Sequence, residues 1–223
     1  MTGAPEAIMI FAAGRGTRMG RTDRPKPMVE VAGRPLVDHA LALADAAGIA
    51  RRVANTHHLP DMLEAHLAAR GVTAIREETL LDTGGGLANA RGVLGDGAVF
   101  TLNADAAWRG RDPLGALRDA WRGAGALLLL VPLAAARGRA GRGDFAMAAD
   151  GTLRRGGELV YTGAQIVDMA ELEGSPPGAF SLNLVWDRLI ARGALRGLVW
   201  DGAWCDVGSP EGIALAEEML RDG

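Results

Sequence analysis

A short apolar run, Ile8-Met9-Ile10-Phe11-Ala12-Ala13, leads into Gly14-Arg15-Gly16-Thr17-Arg18-Met19, and Pro25-Lys26-Pro27 follows. Residues of these types in this order can hold a triphosphate. Gly14 and Gly16 allow a sharp turn that brings backbone N–H groups close to phosphate oxygens. Arg18 and Lys26 add positive charge, and the arginine can make a forked contact. A surface turn carrying a basic cluster is the plainer alternative. Cations clustered in this way repel one another when no anion is bound.

Two carboxylates stand at positions suited to a metal. Val99 to Asp105 is an apolar strand that ends in Asn103-Ala104-Asp105. Mg²⁺ prefers one or two carboxylates together with phosphate oxygens and water. Asp105 is therefore a candidate ligand, or else a solvated Asp that opens a loop or caps a helix. Asp206, in Trp204-Cys205-Asp206-Val207-Gly208-Ser209-Pro210, precedes a helix with Ser209 as N-cap and Pro210 at its first position. By itself Asp206 could serve only that turn.

Leu81-Asp82-Thr83-Gly84-Gly85-Gly86 precedes a helix pattern. Three glycines would let a flat base or ribose lie against bare backbone. A flexible loop with a helix start capped by Thr83 is the alternative. His57 and His58 are adjacent on a strand end, so they face opposite ways and do not make a zinc site. The five tryptophans are scattered and read as packing residues, with Trp108 near enough to Asp105 to touch a ligand.

Alternating elements must position these residues. Apolar runs at 7–12, 52–55, 73–76, 98–102 and 126–131 read as strands. Helix patterns fall at 35–47, 60–69, 86–92 and 113–122, with Pro35, Pro60 and Pro113 in first turns, Asp112 as an N-cap, and Gly48 and Gly71 as stops. This alternation predicts a mostly parallel sheet covered on both faces, with ligands beyond the carboxyl ends of the strands. From Gly141 the pattern becomes β-rich. Strands are expected at 144–148, 152–154 and 159–167, with a hairpin at Asp150-Gly151. A helix at 181–191, a strand at 198–200 and a helix at 210–220 close the chain. No boundary would let two halves fold separately.

Composition narrows the function. At 223 residues the chain can bury one sizeable α/β core. A net charge of −3 gives no electrostatic footprint for nucleic acid. The longest apolar stretch, from Ala124 to Ala136, is broken by Gly125 and Pro132 and is too short to span a bilayer. Cys205 is the only cysteine, which excludes an intrachain disulfide. With no signal-peptide pattern at the N-terminus, a soluble cytoplasmic protein is expected.

The motifs resemble those of the sugar-phosphate nucleotidyltransferases, in which L-A-A-G-x-G-T-R-M is followed by P-K-P. The resemblance runs in family order from the first strand to Asp206. It implies one α/β domain over residues 1–223, Rossmann-like and of GT-A-like type, mostly parallel with a β-rich insertion. It implies nucleotide contacts from Ala12, Ala13, Gly14, Gly16, Thr17 and Asn103, with Gly84 and Gly85 of an L-x-T-G-G-G motif meeting the base through backbone groups. Asp105, from a V-x-N-G-D-type strand end, and Asp206, from W-x-D-V/T-G-T/S, would hold Mg²⁺. Arg18 and Lys26 would stabilise developing charge. Three departures stand out. Ala104 replaces a glycine, which a negative φ tolerates. Asp82 stands where relatives acting on muramic acid carry Glu. Only Gly-Arg-Thr-Asp-Arg links Met19 to Pro25, where many relatives have a longer R-P-L-T-type link.

Within that family, Gly141-Arg142-Gly143-Asp144-Phe145 and Tyr161-Thr162-Gly163-Ala164-Gln165-Ile166 are similar to runs of the N-acetylmuramate-1-phosphate uridylyltransferases. That resemblance implies sugar contacts from Asp144, Thr162, Gly163 and Asn183. Arg142, beside Asp144, is the candidate donor to the lactyl carboxylate, or else a solvent-facing arginine in a Gly-rich turn. The implied reaction joins UTP and N-acetylmuramate 1-phosphate into UDP-N-acetylmuramate and pyrophosphate, a peptidoglycan-recycling step. The partners would be a nucleoside triphosphate and a sugar 1-phosphate, with neither nucleic acid nor membrane. Mannose-1-phosphate guanylyltransferase and glucose-1-phosphate uridylyl- or thymidylyltransferase are alternatives inside the family. A catalytically silent nucleotide-binding subunit is the alternative from another class, and Arg18, Lys26, Asp105 and Asp206 argue against it. A dinucleotide oxidoreductase is disfavoured because the Gly14 loop lacks the third glycine of G-x-G-x-x-G.

Overall fold

The computed structural model describes residues 4–20 and 23–221. Arg21 and Thr22 of the short link lie outside the described residues. The first half alternates as the apolar runs require. β1 (Ala7–Phe11) is followed by β2 (Glu30–Val31), β3 (Arg34–Pro35), α1 (Leu36–Ala46), β4 (Arg51–Thr56), α2 (Pro60–Ala68) and β5 (Thr73–Arg76). Next come α3 (Asp82–Asn89), α4 (Arg91–Leu94), β6 (Ala98–Asn103), β7 (Ala106–Arg109), α5 (Pro113–Ala120) and β8 (Ala126–Pro132). The second half holds β9 (Ala136–Arg137), β10 (Phe145–Met147), β11 (Leu153–Arg155), β12 (Leu159–Asp168), α6 (Leu182–Ala191), β13 (Leu195–Val199), β14 (Ala203–Asp206) and α7 (Pro210–Arg221).

Strands β5, β4, β1 and β6 lie side by side in parallel. The chain leaves β1 toward β4 and β5, then crosses back to place β6 on the other side. This makes the gap between the ends of β1 and β6 a topological switch point, where α/β sheets bind ligands. The β-rich segment does not stand apart. β12 pairs antiparallel with both β6 and β8, and β10 and β11 extend the sheet beyond it. β13 runs parallel to β8 on the far side. A second sheet, in the order β7-β14-β9, stands beside the switch point.

Side-chain alternation along β1 explains the two layers of core. Ile8 and Ile10 face Val37, Leu41, Leu63, Leu67 and Phe100 under α1, α2 and α5. Ala7 and Met9 face Leu87, Val99, Leu128, Val185 and Leu189 under α3 and α6. Each fully buried leucine of this kind contributes about 1.5–3 kcal/mol relative to exposure. A third apolar cluster joins Met19, Val29 and Leu36 to Cys205, Val207 and Met219 of the small sheet and α7.

Local chemistry sets the ends. Asp112 accepts from Leu114 N at 3.0 Å, Ser181 from Asn183 N and Ser209 from Gly212 N, each as an N-cap. Pro60 and Pro113 open their helices, whereas Pro35 does not. It stays extended in β3 and precedes α1, because β2 and β3 pair as a small hairpin. Among the described residues, no helix is long and apolar enough to cross a membrane.

Candidate active site

Strand register brings the distant carboxylates together. β7 and β14 pair antiparallel with Asp206 opposite Ala106, and Val207 N donates to Asp105 O at 2.8 Å. Asp105 and Asp206 therefore flank one point just beyond the end of β6. There Ala104 N donates to Phe11 O, closing the ends of β1 and β6. Ala104 keeps a negative φ, as its replacement of a glycine requires. A cleft of about 410 Å³ opens over this point, lined by Arg18, Asp105, Asp206, and Asn103 with Gly163 against it, and by Asp144, Tyr161 and Asn183.

The basic loop closes over the carboxylates. Gly16 adopts φ 61°, and a Cβ there would lie 2.7 Å from Cβ of Lys26. Only glycine permits both the turn and the close approach. That packing aims Lys26 Nζ at Asp105 Oδ2, 2.6 Å away. Gly14 has no such constraint, and the space over it is open. Arg18 lies against Gly208, just after Asp206. Burial pushes the Asp206 carboxyl above the usual carboxylate range and the charge of Asp105 adds to this, while Lys26, Arg18 and Arg139 pull the other way. Thus the cations do not simply repel one another, because carboxylates lie among them. Among the described residues, no group of three or more His, Cys, Asp or Glu could hold a metal. Two carboxylates facing an open cleft suit a hard cation that takes its other ligands from phosphate and water.

Beside Asp144 the cleft presents a different arginine from the one that the sequence singles out. Arg142 is exposed and does not line the cleft, whereas Arg139 does. β9 pairs with β14 so that Arg137 lies opposite Cys205, which carries Arg139 past Asp206 and into the opening. Its Nη2 donates to Asp144 Oδ1 at 2.6 Å, and Tyr161 N donates to Asp144 Oδ2 at 2.9 Å. Arg155 also lines the cleft, its guanidinium over the rings of Phe145 and Trp186 and bonded to Asp187. Thr162 reaches the cleft, but its hydroxyl donates inward to Leu129 O. Asn183 lines the cleft with its amide donating to Ser181 Oγ. Trp108 packs edge-on against Trp200 and Trp204 and does not line the cleft, so it is Trp204 that reaches it, its Nε1 donating to Thr162 O.

The glycine motif is also placed differently from its sequence reading. Gly84, Gly85 and Gly86 lie inside α3, not before it. Gly84 N and Gly85 N both donate to Phe180 O, and a Cβ on Gly84 would lie 2.3 Å from the Phe180 ring. Those two N–H groups are already committed, and Gly84 and Gly85 pack closely against Phe180 and Gly178. Thr83 is not the cap; its hydroxyl accepts from Leu182 N. Asp82 takes the left-handed conformation at φ 58° and lines the cleft, a strained placement of the kind found at ligand sites. Ala12 and Ala13 are buried, and Ala12 N donates to Asn55 Oδ1. Gly14, Thr17 and Arg18 are exposed along the loop.

Comparison with known proteins follows the same lines. The MobA-like NTP transferase domain matches residues 8–170. An N-acetylmuramate alpha-1-phosphate uridylyltransferase of Caulobacter vibrioides is 37% identical over 243 aligned positions, covering 100% of both chains. Among solved structures, a putative glucose-1-phosphate thymidylyltransferase from Bacillus anthracis superposes with a TM-score of 0.81 at 17% identity, covering 97% of this chain and 96% of that one. An inositol-1-phosphate CTP transferase from T. maritima superposes with a TM-score of 0.77 at 17% identity, covering 98% of each. At these identities the structures speak to fold alone.

Proposed function

The chain belongs to the MobA-like NTP transferase domain family, and from that premise we propose that it transfers UMP from UTP to N-acetylmuramate 1-phosphate, releasing pyrophosphate. The observation that carries this reading is the pairing of Asp105 and Asp206 under Lys26 and Arg18, in a chain similar over its full length to a uridylyltransferase. The whole chain, residues 1–223, acts as one nucleotidyltransferase domain, in the cytoplasm. Its partners are the nucleoside triphosphate and the sugar 1-phosphate.

The loop from Gly14 to Arg18 and the side chain of Lys26 bind the triphosphate, with Asn103 beside it. A phosphate oxygen of the sugar 1-phosphate attacks the α-phosphorus in line, and pyrophosphate leaves from the opposite side. That oxygen is already anionic, so no side chain need remove a proton. The chain's contribution is to hold the two phosphates together and to offset their charge through Arg18 and Lys26. Mg²⁺, held by Asp105 and Asp206, would supply further charge neutralisation. Asp144, Gly163 and Asn183 line the sugar end, and Arg139 and Arg155 supply the cations there that an anionic sugar needs.

Pyrophosphate release over a grid of nucleotides and sugar 1-phosphates tests the reading. The expected maximum is UTP with N-acetylmuramate 1-phosphate. Preference for mannose or glucose 1-phosphate would overturn the sugar. Absence of turnover with every pair would overturn nucleotidyl transfer.

A further inference from the structure

We infer that Asn55 and Glu77 act as a positioning pair that fixes the phosphate-binding loop and the start of α3 as one unit. This rests on the triphosphate reading of the loop but goes beyond it, because it concerns two side chains buried at the ends of β4 and β5. Asn55 ends the core of β4 and Glu77 follows β5, and these strands are parallel neighbours. Each residue is only 4% exposed. Ala12 N donates to Asn55 Oδ1 at 2.8 Å, Asn55 Nδ2 donates to Glu77 Oε1 at 2.8 Å, and Leu81 N donates to Glu77 Oε2 at 3.0 Å.

The chain of bonds uses each polar side-chain atom of the pair once. It starts at the backbone just before Gly14 and ends at the residue before α3. A further contact seals it, since a Cβ on Gly86 would lie 2.8 Å from Glu77 Oε1 and 3.0 Å from Asn55 Nδ2. Helix α3 therefore sits directly on the pair. Burying a carboxyl group costs free energy, and here Asn55 Nδ2 and Leu81 N offset part of it, each to one oxygen. The pair sets the height of the loop backbone that faces the phosphates, through Ala12, and the start of the helix beside the cleft, through Leu81.

The order of donors and acceptors permits a reciprocal test. In Glu77→Gln, the new amide nitrogen must face either Asn55 Nδ2 or Leu81 N–H, donor against donor. In Asn55→Asp, two carboxylates face one another in the core. In the double variant N55D/E77Q, the carboxylate introduced at position 55 would accept from Ala12 N and from the amide introduced at position 77. The carbonyl of that amide would accept from Leu81 N, so every bond returns.

The experiment measures KM and kcat for UTP and for the sugar 1-phosphate, UTP binding by calorimetry, and thermal melting, in the wild type, both single variants and N55D/E77Q. We expect each folded single variant to raise KM for UTP at least about tenfold, the scale of one buried unmatched donor or acceptor. We expect the double variant to return within about threefold of wild type. Unchanged UTP constants in Glu77→Gln, with only its melting temperature lowered, would overturn the inference by making the pair merely structural. So would a double variant that stays defective, or that does not fold when a single variant does not. A wild type that binds no triphosphate would overturn the functional reading and this inference with it. Wild-type binding with insensitive variants would overturn the inference alone.

Discussion

Lys26 Nζ lies 2.6 Å from Asp105 Oδ2, and Asp105 lies across one strand pair from Asp206. The cation proposed to bind phosphate is thus also the counter-ion of the proposed metal site. Its side chain is only 10% exposed. Removing it leaves two carboxylates facing one another. Lys26→Ala should lower turnover at least about a hundredfold and destabilise the ligand-free protein by about 1–3 kcal/mol. Lys26→Met, which keeps the stem against Gly16, should lose as much turnover with less change in packing. A melting temperature that rises in both variants would show that cation repulsion outweighs the pair.

The reverse sign is expected at Asp206. Burial, then the charge of Asp105, raises its pKa above the ordinary Asp value of 3.8. Below that value the carboxyl is protonated in folded and unfolded chains alike and costs nothing. As pH rises through the folded-state pKa, ionisation of the buried group removes stability, and at neutral pH the full cost is present. With divalent cations chelated, Asp206→Asn should melt above wild type at pH 7, and the gap should close toward pH 3. The same variant should lose turnover at least about a hundredfold. Calorimetry across pH, beside an activity assay, checks both halves, and normal turnover would remove Asp206 from the metal site.

Two nearby arginines should separate in kinetics. Arg139 lines the cleft and holds Asp144, while Arg142 is exposed outside it. Arg139→Ala should raise KM for the sugar 1-phosphate about tenfold, the loss expected of one charge-assisted contact, with KM for UTP near wild type. Arg142→Ala should change neither. The opposite ranking would return Arg142 to the sugar site.

The helical glycines divide by what surrounds them. A Cβ on Gly84 would lie 2.3 Å from the Phe180 ring, whereas nothing lies within 4 Å of one on Gly92. Gly84→Ala should destabilise the fold by roughly 1–3 kcal/mol through overpacking. Gly92→Ala, in α4, should be neutral or stabilise by about 0.5–1 kcal/mol. Urea unfolding of both variants checks the contrast, and equal effects would mean that the Phe180 contact relaxes freely.

Much of this protein is written locally. Buried parallel strands are short apolar runs, so β1, β4, β5, β6 and β8 are legible one by one, and Asp112, Ser181, Ser209 and Pro113 mark helix starts because capping is a matter of adjacent residues. The basic loop and the carboxylate at the end of β6 are legible for the same reason, since a turn of Gly16 and a strand end at Asp105 are set within a few residues. The tertiary structure decided what meets what. Asp105 and Asp206 come together through the register of β7 and β14, four-residue strands too short to carry a period of their own. Arg139 rather than Arg142 reaches the cleft because β9 pairs with β14, a choice invisible in a run rich in arginine and glycine. Gly84 to Gly86 read as a loop by propensity, yet Phe180, Asn55 and Glu77 press so closely on them that only glycine fits, and packing holds them in a helix. Propensity fixes the backbone of neighbours in sequence; register, burial and unmatched donors fix the neighbours in space, and the cleft is made of the latter.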